Sequence, residues 1–340
     1  MFKRIHRLLN YGFAIDLGTA NTLISVPGKG IVLNEPSMVS TYKRPKKLIA
    51  VGRKAKNFYG KNHPNIETVR PLKDGVIADF SKTNLMIRTF IAMVNSGFKI
   101  TRPKLVVGVP SGTTQVEKRA VIDAAMQASA REVHLIEEPM AAAIGARLPI
   151  HKPIGHMVVD IGGGTTKVAV ISLFSTVYSE SLRIAGDEMD DAIMKYIRKH
   201  YGIQIGPFEA ERLKILLGSA IPLPNTVEIK SIGLDLVEGI PREFKITDKN
   251  IYEALNEPIS TIIESIIKGL SRSSPEIAAD IMENGVVLAG GGSLLRNIHI
   301  RIHQSTHLNV YRAKSPLTVI VLGVGIVLEN FKTFSKTCIE

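Results

Sequence analysis

The chain has 340 residues, 45% of them hydrophobic, and this length predicts two domains or two halves with buried cores. One cysteine, Cys338, excludes an internal disulfide framework or cysteine zinc site, as is typical of the reducing cytosol. The 43 Lys and Arg against 31 Asp and Glu give a net charge of +12, which favours anionic partners, although compositional drift is an alternative explanation. Nucleic acid is not expected, because the sequence contains no nucleic-acid motif, and 6% aromatic residues without Trp do not indicate stacking platforms for single strands.

The first nine residues form an amphipathic pattern. On a helical wheel, basic side chains occupy one side and apolar ones the other: Met1, Phe2, Ile5, Leu8 and Leu9. No apolar core or cleavage site of a signal peptide follows. We predict a membrane foot that lies on anionic lipid. The alternative is a frayed basic terminus.

Two segments share one pattern of an apolar run, an Asp, a glycine turn and a second apolar run. In residues 13–26 the Asp is Asp16 and the turn contains Gly18, Thr19, Ala20 and Asn21. In residues 157–171 the Asp is Asp160 and the turn contains Gly162, Gly163, Gly164 and Thr165. Each predicts a strand, a tight turn and a strand, in which backbone N–H groups can approach phosphate. An Asp at each strand end can hold Mg²⁺ through water.

Two stretches follow the first hairpin. Residues 39–73 are short, basic and punctuated by Pro and Gly, which predicts a small inserted subdomain. Residues 81–95 have helical spacing, and the loop after them contains Phe98 and Ile100 among basic residues. This loop is a candidate second membrane contact; inward packing of the two side chains is the alternative.

Residues 133–145 predict a strand that runs straight into a helix, with Glu138 and Pro139 at the junction. Proline suits the first helical turn and keeps the preceding residue extended. Glu138 is therefore placed to orient a water molecule for attack on a phosphate. A simple helix cap is the alternative.

Two later segments are candidates for contacts with a nucleoside. Glu211 and Lys214 share one face of a predicted helix and would contact a ribose or base, or form only a surface pair. Gly290, Gly291 and Gly292 follow an apolar strand and permit close approach of a base or phosphate, with Ser293 as a cap for the next helix. Residues 317–328 are uncharged but too few to span a bilayer, so they predict a core helix.

These motifs, in this order, resemble the actin, sugar-kinase and heat-shock-chaperone ATPase superfamily, and most closely its MreB family of bacterial actins. The resemblance runs from about residue 12 to 330 and rests on six stretches: 16–22, 30–37, 74–79, 136–145, 158–166 and 288–297. It implies an α/β actin-like ATPase fold. Two duplicated halves with ribonuclease-H-like cores would each carry a smaller subdomain, with nucleotide in the central cleft.

The resemblance also implies roles for individual residues. ATP would be held at its phosphates by the two glycine turns and at its adenosine by Glu211, Arg212, Leu213 and Lys214, opposite Gly290 to Ser293. Asp16 and Asp160 would organise Mg²⁺, while Glu138 and Thr165 would position the attacking water. Slow hydrolysis would be coupled to filament assembly.

The implied partners are copies of the chain in antiparallel double protofilaments, anionic lipid of the inner membrane and the cell-wall elongation machinery. The chain would therefore be cytoplasmic, peripheral on the inner face of the membrane, and would maintain rod shape. The expected subdomains are 1–38, 74–150 and 316–340 for the first core, 39–73 for its insert, 151–187 and 250–315 for the second core, and 188–249 for the second small subdomain.

The chain departs from the family pattern at two places. Lys167 stands where family members usually have Glu, and residues 312–316 are basic where they tend to be acidic. Lys167 would alter hydrolysis if its side chain faced the γ-phosphate, and would change little if the alternation of the strand turned it away. Both departures put the rate of hydrolysis in question rather than the binding of nucleotide. A small-molecule kinase of the same superfamily is the main alternative function, and it would need a separate acceptor-activating base. A chaperone ATPase would need a peptide-binding domain for which little sequence remains.

Overall fold

The computed structural model describes residues 12–45, 47–61, 64–73, 75–95 and 102–339. The predicted membrane contacts, in residues 1–9 and at Phe98 and Ile100, lie outside these ranges. The chain divides into two units: unit 1 contains residues 1–154, 171–177 and 317–340, and unit 2 contains residues 155–170 and 178–316. The finer division into four subdomains stays a prediction.

The strands of the described residues are numbered in chain order. They are β1 Gly12–Leu17, β2 Asn21–Val26, β3 Gly30–Pro36, β4 Val39–Tyr42, β5 Leu48–Val51, β6 Ile66–Val69, β7 Leu72–Lys73, β8 Val76–Ile77, β9 Lys104–Val109, β10 Glu132–Glu137, β11 His156–Ile161, β12 Thr166–Ser172, β13 Ser175–Leu182, β14 Ile203–Gln204, β15 Glu228–Asp235, β16 Pro241–Thr247, β17 Val286–Ala289, β18 Val310–Arg312 and β19 Cys338–Ile339.

The helices are numbered in the same way. They are α1 Arg53–Lys56, α2 Phe80–Asn95, α3 Gln115–Gln127, α4 Glu138–Gly145, α5 Gly186–Tyr201, α6 Pro207–Leu217, α7 Asp248–Ser271, α8 Pro275–Asn284, α9 Ile298–Thr306, α10 Val319–Glu329 and α11 Phe331–Phe334, with 3-10 turns at Gly291–Leu294 and Ser335–Thr337. The predicted helices at 81–95 and 317–328 are confirmed as α2 and α10.

The main sheet of unit 1 has the strand order β3-β2-β1-β9-β10-β19. Strands β1, β9 and β10 are parallel, and β2 runs antiparallel to β1, so the predicted first hairpin is confirmed. The core lies against this sheet and includes Phe13, Phe90, Leu105 and Leu135. Strands buried on both faces need continuous apolar runs, which is what β1 and β9 supply.

The second large sheet, most of which belongs to unit 2, has the order β13-β12-β11-β17-β18. Strands β11, β17 and β18 are parallel, as β1, β9 and β10 are in the first sheet. Each sheet therefore contains three strands that are consecutive in the chain and two parallel partners from later in the sequence, and in the first sheet β19 is added antiparallel to β10 at the edge. This repeated order agrees with the duplicated α/β architecture that the family resemblance implies.

Two three-stranded sheets accompany the large ones. Strands β5, β4 and β6 form one in unit 1, and β14, β15 and β16 form the other in unit 2. Alternating exposed and buried side chains along β15 and β16 indicate that this second sheet is covered on one face only.

Helices α4 and α10 cross closely within unit 1. A Cβ atom added to Gly323 would overlap the carbonyl oxygen of Ala141, and one added to Gly145 would overlap that of Val319. Both residues must therefore be glycine for the two backbones to approach this far. The crossing fixes α4, and with it Glu138 at the first position of that helix.

Candidate functional site

The first glycine turn, residues 18–21 of unit 1, is held by Ser37. The Ser37 hydroxyl donates to the Gly18 carbonyl at 2.6 Å, and the Ser37 backbone N–H donates to the Ala20 carbonyl at 2.9 Å. Thr22 Oγ1 lies 2.9 Å from Ser37 Oγ, and both side chains are buried. Because a trans peptide points its C=O and N–H in opposite directions, fixing the Gly18 carbonyl aims the N–H of Thr19 away from Ser37. The turn is thus preset to present backbone donors.

Two carboxylates of unit 1 lie at the carboxyl edge of its parallel strands. Asp16 pairs with Gly108 across β1 and β9, and Gly108 pairs with Ile136 across β9 and β10. Neighbouring strands lie about 4.8 Å apart, so the backbones at Asp16 and Ile136 are separated by roughly 10 Å. Glu138 follows two residues later, and both carboxylates are at least nine-tenths buried. Of the two, Asp16 offers the carboxylate type of ligand that Mg²⁺ accepts while it keeps several waters.

The second glycine turn, residues 162–165 of unit 2, is held in a comparable way by the start of α5. Gly186 N–H donates to the Gly162 carbonyl at 3.2 Å, and Asp187 N–H donates to the Gly163 carbonyl at 2.7 Å. The N–H groups of Gly163 and Gly164 therefore point away from α5, by the same trans-peptide geometry. The turn itself is closed by a hydrogen bond from Gly162 N–H to the Thr165 carbonyl at 2.9 Å.

Lys214 is connected to the same turn through α5. Its Nζ donates to the Gly186 carbonyl at 2.8 Å and lies 2.8 Å from Asp190 Oδ1. Burial raises the pKa of Asp190 to about 6, against the lowering effect of the Lys214 ammonium; Glu211 and Asp187 raise it further. Lys214 thus stabilises the helix start that orients the turn.

The other predicted adenosine residues of α6 have different surroundings. Arg212 forms two hydrogen bonds with the Glu209 carboxylate, at 2.6 and 2.9 Å, on the surface. Leu213 is fully buried in the core of unit 2, whereas Glu211 is half-buried. Of the four, Glu211 and Lys214 are one turn apart on the helix and partly accessible.

The third glycine turn packs against the end of β11. Gly290 has a φ of 77°, and its N–H donates to the Pro316 carbonyl at 3.1 Å. A Cβ at Gly290 or Gly292 would overlap Ile161, so these glycines are required by close approach within unit 2. The middle glycine of the three, Gly291, is exposed and begins the 3-10 turn.

The prediction that Ser293 caps the following helix is wrong. The Ser293 hydroxyl donates to the Gly290 carbonyl at 2.7 Å, within a 3-10 turn that separates the strand from α9. Helix α9 begins later, at Ile298, and its N-cap residue is Asn297. Three successive glycines allow the chain to turn tightly before it becomes helical, which places the serine too early to cap.

Asp160 and Lys167 form a buried ion pair at the base of the second turn. Lys167 Nζ lies 3.6 Å from Asp160 Oδ2, and the two side chains are only 5% and 3% exposed. Burial raises the pKa of the Asp160 carboxyl, while the Lys167 ammonium acts in the opposite direction. An ammonium beside the carboxylate does not fit a Mg²⁺ ligand, since the two cations would repel each other. Within the described ranges, no group of three or more His, Cys, Asp and Glu residues is arranged to hold a metal.

Comparisons with known proteins identify the relatives of this chain. A family model described as MreB/Mbl protein matches residues 10–336. The chain belongs to the MreB/Mbl family. The cell shape-determining protein MreB of Escherichia coli strain K12 is 50% identical over 334 residues, which cover 97% of this chain and 96% of that protein. The cell shape-determining protein Mbl of Bacillus subtilis strain 168 is 42% identical, with 95% and 97% covered.

Solved structures agree with the family assignment. MreB5 of Spiroplasma citri bound to ADP superposes with a TM-score of 0.90 at 37% identity, over 95% of this chain and 98% of that one. The MamK double helical filament has a TM-score of 0.77 at 22% identity, over 93% and 98%, and supports the actin-like fold alone. The kinase alternative is not favoured, because the shape-determining relatives match over 95–97% of the chain.

Reasoning from the sequence missed several residues that hold the site together. Ser37 occurs in one of the family motifs, but its distance of 19 residues from Gly18 hid the contact. Asp190 precedes its partner Lys214 by 24 residues and lies in a different helix, so the sequence alone does not pair them. In the part of the chain that the structure describes, no helix has the length and apolar content needed to cross a bilayer.

Proposed function

We propose that this chain is an ATP-binding, slowly hydrolysing bacterial actin whose filaments associate with the membrane and organise cell-wall elongation to maintain rod shape. The observation that carries the proposal is that each unit contains a glycine turn whose carbonyls are held by donors from elsewhere in that unit. Turns fixed in this way present N–H groups to an anion without further ordering, which is how backbone phosphate sites work.

Nucleotide binding is supported by the relatives as well as by these turns. MreB5 of Spiroplasma citri, 37% identical to this chain, has been crystallised with ADP and with AMPPNP. In unit 1 the phosphate contacts would come from Gly18, Thr19, Ala20 and Asn21. In unit 2 they would come from Gly162 to Thr165, with Glu211 and Lys214 near the ribose and Gly290 to Ser293 near the base.

Hydrolysis would depend on the carboxylates of unit 1. Asp16 would hold Mg²⁺ through water, and the ion would neutralise charge on the phosphates. Glu138, buried at the first position of α4, would orient the attacking water, with Thr165 of unit 2 as a second positioning group.

We expect Glu138→Gln to lower the rate of phosphate release by about 100-fold while nucleotide affinity stays within about threefold, since general bases contribute at least about 100-fold to the rate. Glu137→Gln is the matched control, because the Glu137 carboxylate already accepts a hydrogen bond from Thr176.

Membrane association is proposed from the sequence. The amphipathic pattern of residues 1–9 and the net charge of +12 both favour anionic lipid. A single short foot binds weakly, but many feet on one filament bind well through effective concentration. Filament formation and lipid binding would therefore support each other.

The decisive experiment is electron microscopy of the purified chain with ATP on anionic lipid. We expect paired antiparallel filaments that lie on the lipid surface. Absence of polymer over a wide range of protein concentrations, with and without lipid, would contradict the proposal. ATP consumption that depends on an added small-molecule acceptor would instead favour a kinase.

A further inference from the structure

The Asp160 carboxylate of unit 2 is enclosed on both of its oxygens. Oδ2 faces Lys167 Nζ at 3.6 Å. Oδ1 lies so close to Gly290 that a Cβ at that position would come within 2.5 Å of it. The side chain is only 3% exposed, so a Mg²⁺ ion that keeps several waters has little access to it in this structure.

The placement of Lys167 follows from the sheet. Asp160 is the penultimate residue of β11, Lys167 is the second residue of β12, and the two strands are neighbours. The four-residue turn between them therefore brings an ammonium and a carboxylate together at its base. A carboxylate this deeply buried requires a compensating positive charge, and in this chain the Lys167 ammonium provides it.

We propose that the Lys167 ammonium takes the place of a divalent cation beside Asp160, so that unit 2 accepts nucleotide phosphates without a metal ion on this carboxylate. This inference rests on the proposed nucleotide binding. Its physical content is a charge balance. With Lys167, an incoming phosphate meets a neutral pair at the base of the turn, whereas an unpaired Asp160 would repel it until a metal ion intervened.

The inference concerns how strongly nucleotide affinity depends on Mg²⁺. The quantity to measure is the ratio of the dissociation constant of a fluorescent ATP analogue in EDTA to that in excess Mg²⁺. In Lys167→Gln, Asp160 has no compensating cation, so we expect this ratio to rise at least about tenfold above that of the unmodified chain. Lys167→Arg keeps the positive charge and should keep the ratio within about threefold of the unmodified chain.

A second variant is needed because Lys167→Gln leaves the buried Asp160 carboxylate without its compensating charge, which can cause misfolding. Asp160→Asn combined with Lys167→Gln replaces the ion pair by neutral side chains of similar volume, an exchange that proteins often tolerate. Because Asp160 does not bind Mg²⁺ in this proposal, the double variant should keep the ratio of the unmodified chain within about threefold. Thermal unfolding establishes that each variant is folded.

Each outcome decides the question. If Asp160 organises Mg²⁺ instead, the double variant should lose most of the Mg²⁺ dependence of the unmodified chain, and the inference is then wrong. An equal ratio for Lys167→Gln and the unmodified chain would overturn it as well. If the unmodified chain binds no ATP analogue in either condition, the proposed function fails along with the inference, which separates this failure from the other two.

Discussion

Ser37 illustrates how one side chain can prepare a binding turn that it does not itself complete. Its hydroxyl and its backbone N–H hold two carbonyls of the turn at residues 18–21. We expect Ser37→Ala to weaken ATP binding by up to about tenfold, because a lost hydrogen bond of about 1 kcal/mol leaves the turn less ordered. Isothermal titration calorimetry measures the effect. Ser40→Ala is the matched control: Ser40 is equally buried but bonds to Thr68, so its loss should reduce stability and leave ATP affinity unchanged.

The raised pKa of Asp190 predicts how the stability of the folded chain depends on pH. Its pKa is about 6 in the folded chain against 3.8 as the ordinary value, so the folded state binds more protons than the unfolded state between these limits. Stability from this group is therefore present at low pH and is lost as the pH rises through 6. Between pH 4.5 and 7 the loss amounts to about 2 kcal/mol.

Asp190→Asn removes this dependence of stability on pH. Because the unmodified chain loses stability from pH 4.5 to pH 7 and the variant does not, the unfolding temperature of the variant minus that of the unmodified chain should rise by about 5 °C over this range. Differential scanning calorimetry at the two pH values tests it, with the exposed Asp123→Asn as control. If the difference in unfolding temperature between Asp190→Asn and the unmodified chain is the same at both pH values, Asp190 does not titrate between pH 4.5 and pH 7.

At the scale of elements, the crossing of α4 and α10 depends on two glycines. Gly323→Ala would drive a methyl group into the Ala141 carbonyl, so we expect it to destabilise unit 1 by about 3 kcal/mol. Gly325→Ala lies in the same helix, but its nearest neighbour would be Ser25 Oγ at 3.9 Å, so it should be neutral or stabilising through helix propensity. Thermal unfolding of the two variants compares them. Equal unfolding temperatures would show that the helices can separate without cost.

Periodicity and turn chemistry predicted most of these elements from the sequence. The two hairpins, the strand that leads into α4 and the helices α2 and α10 follow from runs of apolar residues that end at Gly, Pro or Asp. What could not be predicted depends on strands brought together in space. Lys167 lies opposite Asp160 across the predicted second hairpin, but the burial of the pair and the 3.6 Å between Nζ and Oδ2 depend on the elements packed around it. The predicted helix cap at Ser293 is wrong because local propensity does not reveal an intervening 3-10 turn.

At the scale of the whole molecule, the net charge of +12 predicts how the proposed binding of the chain to lipid should depend on salt. We expect sedimentation with anionic liposomes to fall as salt rises from 0.1 to 0.5 M, since the Debye length is about 10 Å at 0.1 M and shrinks with salt. Deletion of residues 1–9 should remove most of the remaining binding. Neutral liposomes are the control. Full sedimentation of the deleted chain would rule out the amphipathic segment as the main anchor.

The segmented composition of unit 1 has a consequence for synthesis on the ribosome. Helix α10, which packs on α4 and on β1, follows residue 154 by about 165 residues, nearly all of which belong to unit 2. Because the ribosome adds about 5–20 residues per second, the apolar face of α4 stays uncovered for roughly 10–30 s until α10 has been synthesised. Unit 2 is almost continuous in sequence, so it can finish folding during this interval. Newly made chains should therefore be most prone to aggregation through unit 1, and chaperones should be needed mainly before residues 319–329 emerge.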